Sequence, residues 1–163
     1  MAFIYIMDYY DTIAEGYNEL HAKEQLDKIK TMLRHLQITD ETILDVGCGT
    51  ALYAYLFRNY KGIDPSKGML EQSSADVVRG EAEDLPFEDK SFDIVISVSA
   101  IHNFKDYKKG IAEIKRVAKK RIIITLLKQA KEFEAIREEL KDFKEIDHPV
   151  DLIFVKELKN GES

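Results

Sequence analysis

The sequence is short of several things, and each shortage excludes something. Among 163 residues there is one cysteine, Cys48, and no tryptophan. A single cysteine closes no internal disulfide and supplies no cluster of thiolate metal ligands. It suits a reducing compartment, and a cytoplasmic protein is expected. Only 8 glycines and 3 prolines punctuate the chain, and no stretch reads as a linker, a repeat or a low-complexity tract. No run approaches the roughly 18–20 apolar residues needed to cross a bilayer. The apolar start, Met1 to Met7, is short and lacks the basic region and cleavage site of a secretory leader. Positive charge is in the minority too, with 24 Lys and Arg against 30 Asp and Glu and a formal net charge of −6. That balance gives no general attraction to nucleic acid or to an anionic membrane.

What is present is patterning. Hydrophobic residues make up 45% of the chain and charged residues 33%, enough for a core inside a solvated surface. One domain over residues 1–163 is expected, with a helical cap over 1–40 and a core over 41–163. Leu26, Ile29, Leu33 and Leu36 fall at helical spacing, so Ala22–Gln37 reads as an amphipathic helix. Short apolar or β-rich runs at Thr42–Val46, Tyr60–Ile63, Asp76–Arg79, Phe92–Val98 and Arg121–Leu127 read as strands. Between them, Leu52–Asn59, Ser66–Ser73 with Ser66 as its cap, and a segment marked by Ile111, Ile114 and Ala118 read as helices. Phe133, Ile136 and Leu140 mark a last helix, and Phe143–Asp147 pairs with Leu152–Leu158 across His148-Pro149. Strands alternating with helices predict an α/β fold: a doubly wound, mostly parallel sheet with helices on both faces and an antiparallel strand at its C-terminal end.

The segment that carries chemistry is Ile43-Leu44-Asp45-Val46-Gly47-Cys48-Gly49-Thr50. A buried strand runs into Gly47-x-Gly49, and a helix is expected to follow. Glycines there let the backbone turn tightly and approach a ligand. A helix opening at this point would present unpaired N–H groups to an anionic or polar ligand. Asp64 closes the next strand, where a carboxylate can accept hydrogen bonds from two ribose hydroxyls. Together these features predict a nucleoside-containing ligand. A dinucleotide fingerprint would need a third glycine, and Leu52 occupies that position. A phosphate-binding G-x-x-x-x-G-K-[ST] loop is absent.

These blocks resemble the class I S-adenosylmethionine-dependent methyltransferases, most closely the ubiquinone-biosynthesis-type branch. Ile43–Thr50 is similar to the family's first motif and Tyr60–Leu70 to its second. Gly80–Asp93 is similar to the third and Ile94–His102 to the fourth. Tyr10–Tyr17 resembles the helix that precedes them. The resemblance implies a Rossmann-like, seven-stranded fold and S-adenosylmethionine as cofactor, with S-adenosylhomocysteine as product. It implies that Asp45, Gly47, Cys48 and Gly49 hold the methionyl end, with Tyr17 at its carboxylate. Asp64 would bind the ribose beside Pro65, and Met69 would pack on the adenine. Glu81, Ala82 and Glu83 would reach the adenine edge, and Ser97 and Val98 would line the pocket near the sulfonium. The chain departs from the family pattern at Ala51, where glycine is commoner, at Glu81, where aspartate is commoner, and at Lys119-Lys120-Arg121, which replaces a Pro-Gly-Gly turn.

Methyl transfer from a sulfonium needs no protein nucleophile, and it needs a base only if the acceptor must lose a proton. His102, after the fourth strand, is the candidate base, and packing at a strand–helix junction is its alternative role. His21 is a second candidate facing the same choice. Cys48 reads as a small packing residue within the loop. Tyr5, Tyr9, Tyr10 and Tyr17 could cover an acceptor or pack on the core. The basic stretch 105–121 could meet RNA or an acidic protein, or be an ordinary solvated face. Ser97-Val98-Ser99-Ala100 stands where base-nitrogen and glutamine methyltransferases carry Asn-Pro-Pro-Tyr. A small metabolite, a protein side chain and RNA with a partner subunit stay open as acceptors; the resemblance implies a small molecule, in a monomer or a homodimer without a membrane partner. The alternatives are an RNA or protein methyltransferase that needs a partner, and a non-catalytic subunit of the same fold that activates one.

Overall fold

The computed structural model describes residues 23–34 and 36–159. Its strands are β1 (Thr42–Val46), β2 (Asn59–Asp64), β3 (Val77–Arg79), β4 (Phe92–Val98), β5 (Ala118–Leu127), β6 (Lys144–Asp147) and β7 (Asp151–Glu157). Its helices are α1 (residues 23–34), α2 (Lys67–Glu71), α3 (Tyr107–Val117) and α4 (Phe133–Glu139). The strands form one sheet in the order β3-β2-β1-β4-β5-β7-β6. β1 to β5 are mutually parallel, and β7 runs antiparallel between β5 and β6. The chain grows outward from β1 in one direction and from β4 in the other. The gap between their carboxyl ends is the switch point at which such sheets open a crevice.

The alternation of side chains explains why both faces are covered. Ile43, Ile94, Ile96, Ile123 and Ile153 point to the face that receives Ile29 and Met32 of α1. Leu44, Val95, Ile122, Ile124 and Phe154 point to the opposite face, against Ile111 and Ile114 of α3 and Ile136 of α4. The stretches Ile94–Ile96 of β4 and Ile122–Ile124 of β5 are buried on both faces, which is why they read as unbroken β-branched runs. Among the described residues no helix is long and apolar enough to cross a membrane.

Two expected elements differ. Leu52–Asn59 forms no α-helix, only a 3-10 turn at Ala54–Leu56. Residues 47–58 must return the chain from the end of β1 to the start of β2, and the glycine turn consumes several of them. A parallel crossover needs about a dozen residues at minimum, which leaves no room for a helix. Second, Ala118 is the cap of α3 in extended conformation, and Lys119-Lys120-Arg121 continue straight into β5 rather than forming a turn. Cross-strand pairing holds them there: Arg121 lies opposite Glu157, with Nε 2.7 Å from the carboxylate. The candidate site residues Tyr17 and His21 and the aromatic positions Tyr5, Tyr9 and Tyr10 lie outside the described residues.

Asp45 is one of the polar side chains that interrupt the α1 face. It stands two residues after Ile43 on β1 and is fully buried, and the Tyr60 hydroxyl donates to its carboxylate at 2.6 Å. Burial pushes its carboxyl up to about 7, against the opposing hydrogen bonds of Tyr60 and Tyr53. In an unfolded chain the group titrates near 4. Between these values the native state binds the extra proton, so Asp45 contributes stability that falls as pH rises from about 4 to about 7. Asp45→Asn removes that dependence. Urea unfolding at pH 5 and pH 8 should show the variant gaining on the wild type at the higher pH, by at most about 3 kcal/mol. An equal difference at both pH values would contradict the assignment.

Candidate functional site

The crevice at the switch point is a cleft of about 820 Å³ including its open mouth. Gly47 and Gly49 build its floor with φ of +78° and +57°. Those left-handed values are strained for other residues. Both positions are also crowded. A Cβ on Gly47 would lie 2.5 Å from that of Ala100, and one on Gly49 would lie 3.2 Å from Met69 Cε. Ala51 turns left-handed as well, at φ +52°. That accounts for glycine being the commoner residue there in the family this chain resembles.

Four N–H groups of the loop are already used. Those of Gly47 and Cys48 donate to the Ile63 carbonyl at 2.8 and 3.1 Å. That of Gly49 donates to Asp64 Oδ2 at 2.9 Å, and that of Ala51 donates to the Cys48 carbonyl at 2.9 Å. The loop therefore differs from the expected row of donors at a helix N-terminus. Phosphate binding depends on such donors. A ligand that brings its own donors, such as an ammonium or a hydroxyl, suits this loop better. The charged residues among the described lining side chains are Asp64, Glu81 and Glu83, all acidic, which favours a cationic ligand.

The cleft brings together most of the expected site residues. Gly47, Cys48, Gly49, Asp64, Pro65, Met69, Glu81, Ala82, Glu83 and Val98 all line it. Asp64 is anchored at the end of β2, where its second oxygen accepts from Ser66 N–H at 2.8 Å. A carboxylate oxygen accepts more than one hydrogen bond, so this anchoring is compatible with ribose hydroxyls. Ser66 caps α2 by accepting from Met69 N–H at 3.2 Å, which turns Met69 over the floor. Glu81 is tied to Lys105 at 2.6 Å, and Glu83 accepts from Asp106 N–H at 3.0 Å. Burial pushes the Cys48 thiol up, in keeping with a packing residue and not a thiolate nucleophile.

Three expected residues do not line the cleft. Asp45 lies beneath the loop, held by Tyr60. Ser97 is fully buried, and its hydroxyl donates to the Val46 carbonyl at 2.8 Å, clamping β4 to the end of β1. His102 sits between the lining residues Ala100 and Asn103 but is not itself a wall residue. Its charge environment is Asp151 and Lys28, and burial holds its imidazole below the usual histidine value. Its Nδ1 is buried without a hydrogen-bond partner among the described residues. Sequence reasoning missed Gln25, Thr50, Leu52, Tyr53, Ser66, Ser99, Asn103 and Phe104 as wall residues. Position relative to the motifs could have signalled Thr50 and Ser99. Nothing local marks Gln25, which arrives on α1 from elsewhere in the chain.

The basic stretch 105–121 is not a continuous stripe. Lys105 pairs with Glu81, Lys115 with Asp142, Arg116 with Glu113 and Asp89, Lys120 with Asp93, and Arg121 with Glu157. These positions belong to a loop, a helix and a strand, and their charge is largely answered on the spot.

Comparison with known proteins bears on the family and the fold. The family model described as a methyltransferase domain matches residues 44–126, just over half of the chain. The protein MJ1252 of Methanocaldococcus jannaschii is 33% identical over 119 residues, covering 70% of this chain and 47% of its own length. Phthiotriol/phenolphthiotriol dimycocerosates methyltransferase 1 of Mycobacterium ulcerans is 35% identical over 96 residues, 51% of this chain and 35% of its own. The chain thus spans less than half the length of these curated relatives. A solved chain from the complex of the Haloferax volcanii methyltransferase activator Trm112 with its methyltransferase superposes with a TM-score of 0.74. It is 18% identical and is matched over 90% of this chain and 96% of its own, a likeness of fold. With its motifs, its strand order and the matched domain in agreement, the chain belongs to the methyltransferase-domain family, the class I S-adenosylmethionine-dependent methyltransferases.

Proposed function

We propose that the protein transfers a methyl group from S-adenosylmethionine to a small-molecule acceptor, releasing S-adenosylhomocysteine. The observation that carries this reading is the donor-poor, acid-lined floor of the cleft. The Gly47–Gly49 turn has spent its N–H groups on Ile63 and Asp64, and the described charged wall residues are carboxylates. A dinucleotide pyrophosphate would meet the wrong chemistry there, whereas a ligand with a sulfonium, an ammonium and ribose hydroxyls would meet acceptors.

In this reading Gly47, Cys48 and Gly49 seat the methionyl end, and Asp64 takes the ribose hydroxyls beside Pro65. Met69 covers the adenine, and Glu81, Ala82 and Glu83 meet its edge. Val98 borders the reacting end. Asp45 and Ser97 act one layer down by fixing β1 against Tyr60 and β4. The bound cofactor supplies an already activated methyl group for in-line displacement. The protein's own task is to hold the acceptor in line and keep water out. The small-molecule acceptor is supported by the absence of Asn-Pro-Pro-Tyr after β4 and by the answered charge of residues 105–121.

Calorimetric titration with S-adenosylmethionine and S-adenosylhomocysteine tests the cofactor directly, and binding of both in the micromolar range is the expected result. Binding of neither would remove the catalytic reading and leave that of a subunit that activates a partner. Asp64→Asn keeps the shape and removes the charge. Hydrogen bonds to a charged group contribute about 1.5–3 kcal/mol, so affinity should fall by roughly 10- to 100-fold. Unchanged affinity would take Asp64 out of the site. Gly47→Ala places a Cβ against Ala100 at a left-handed position. Loss of measurable S-adenosylhomocysteine binding is expected there, with a lowered Tm; retention of both would show that the loop does not set the floor.

A further inference from the structure

Lys28 on α1 is fully buried, and so is Asp151, the first residue of β7. Lys28 Nζ lies 2.9 Å from Asp151 Oδ1 and donates to Ser99 Oγ at 2.7 Å. Ser99 Oγ in turn donates to Asp151 Oδ2 at 2.7 Å. The Ser99 N–H donates to Thr125 Oγ1 of β5 at 2.8 Å. A half-exposed carboxylate, Glu24, stands 3.3 Å from Lys28 one turn away on α1. A buried ion pair is weak evidence for stability, because the cost of removing both charges from water offsets their attraction. This one does something more specific. It closes a ring on the hydroxyl of a residue whose backbone is strained.

Ser99 has φ +51°, a left-handed conformation that a non-glycine residue holds only when its surroundings impose it. It is also the corner where β4 turns into one wall of the cleft. Ser99, Ala100, Asn103 and Phe104 line that wall. The wall is seated without slack: Ala100 fills the space a Gly47 side chain would need, and Phe104 fills the space a Gly110 side chain would need. A change in the Ser99 corner therefore reaches the glycine floor through Ala100.

We infer that Lys28, Asp151 and Ser99 form a positioning network that fixes the cleft wall over residues 99–104 and so sets how tightly the cofactor is held. The inference rests on the cofactor reading above, but its first readout does not. Lys28 and Asp151 touch no ligand in this scheme and act through Ser99.

The test uses amide hydrogen exchange followed by NMR on the ligand-free protein, together with S-adenosylhomocysteine affinity. Ser99→Ala leaves the ion pair in place and removes the hydroxyl. Lys28→Met combined with Asp151→Leu removes both charges and keeps apolar volume. In both, exchange at residues 99–104 should rise at least tenfold while amides of Leu44 and Val95 keep wild-type protection. Affinity for S-adenosylhomocysteine should fall at least tenfold. A network that only stabilises the fold would instead shift all amides together. Wild-type exchange at residues 99–104 in Ser99→Ala overturns the inference even if the double variant unfolds, and so does faster local exchange with unchanged affinity. A wild-type protein that binds no S-adenosylhomocysteine refutes the cofactor reading, and local exchange alone then decides the network.

Discussion

The end of β2 holds the glycine loop. The Ile63 carbonyl and the Asp64 carboxylate together accept from Gly47, Cys48 and Gly49, and the rest of the site follows from that capture. The two left-handed glycines turn the chain back toward β2 instead of launching it into a helix. The floor presents acceptors instead of donors, which is the opposite polarity from a phosphate-binding turn. Asp64 serves twice, as the staple of the loop and as a wall group of the cleft. Its position is fixed by the parallel pairing of β1 with β2, in which Val46 lies opposite Ile63.

Around that floor the sheet supplies a stack of supports. Ser97 clamps β4 to the end of β1, Tyr60 holds Asp45 beneath the loop, and Ser66 tilts Met69 over it. Each is a short polar contact in a water-poor layer, where an unmade hydrogen bond costs more than a made one contributes. Residues expected to touch the cofactor thus fall into two layers: a wall that includes Asp64, Met69 and Glu81, and a foundation that includes Asp45 and Ser97. The acidic motif position and the serine of β4 belong to the foundation because strand alternation aims them into the sheet layers and away from the mouth.

Much of this was readable in the sequence. β1 and β4 stand where their apolar runs placed them, the Ser66 cap is formed, and the C-terminal pair is antiparallel. Such features are local: a run of β-branched residues or a serine before a helical turn carries its own signal. Leu52–Asn59 misled because its apolar spacing is compatible with a helix, and only the short span between β1 and β2 forbids one. Lys119 and Lys120 stand where the resembling family carries a turn, and the strand that pairs with this segment, with Glu157 opposite Arg121, is remote in sequence. Gln25 and the Lys28–Asp151 pair were invisible for the same reason. A lysine on an amphipathic helix reads as solvent-facing until the strand that buries it is known.

The tie between Lys28 and Asp151 also has a temporal side. It joins α1 to β7, a strand that is synthesised well after it. Until β7 emerges, the Lys28 ammonium has no buried carboxylate to meet, and α1 would leave it in water instead of desolvating it alone. β1 to β5 can pair beforehand through their own parallel contacts, so a chain that has not reached β7 carries the glycine turn and its carboxylate while the Ser99 corner is not yet tied to Asp151. Translation runs at about 5–20 residues per second, so the gap between those events is several seconds. During it the Ser99 hydroxyl lacks the carboxylate that later receives it.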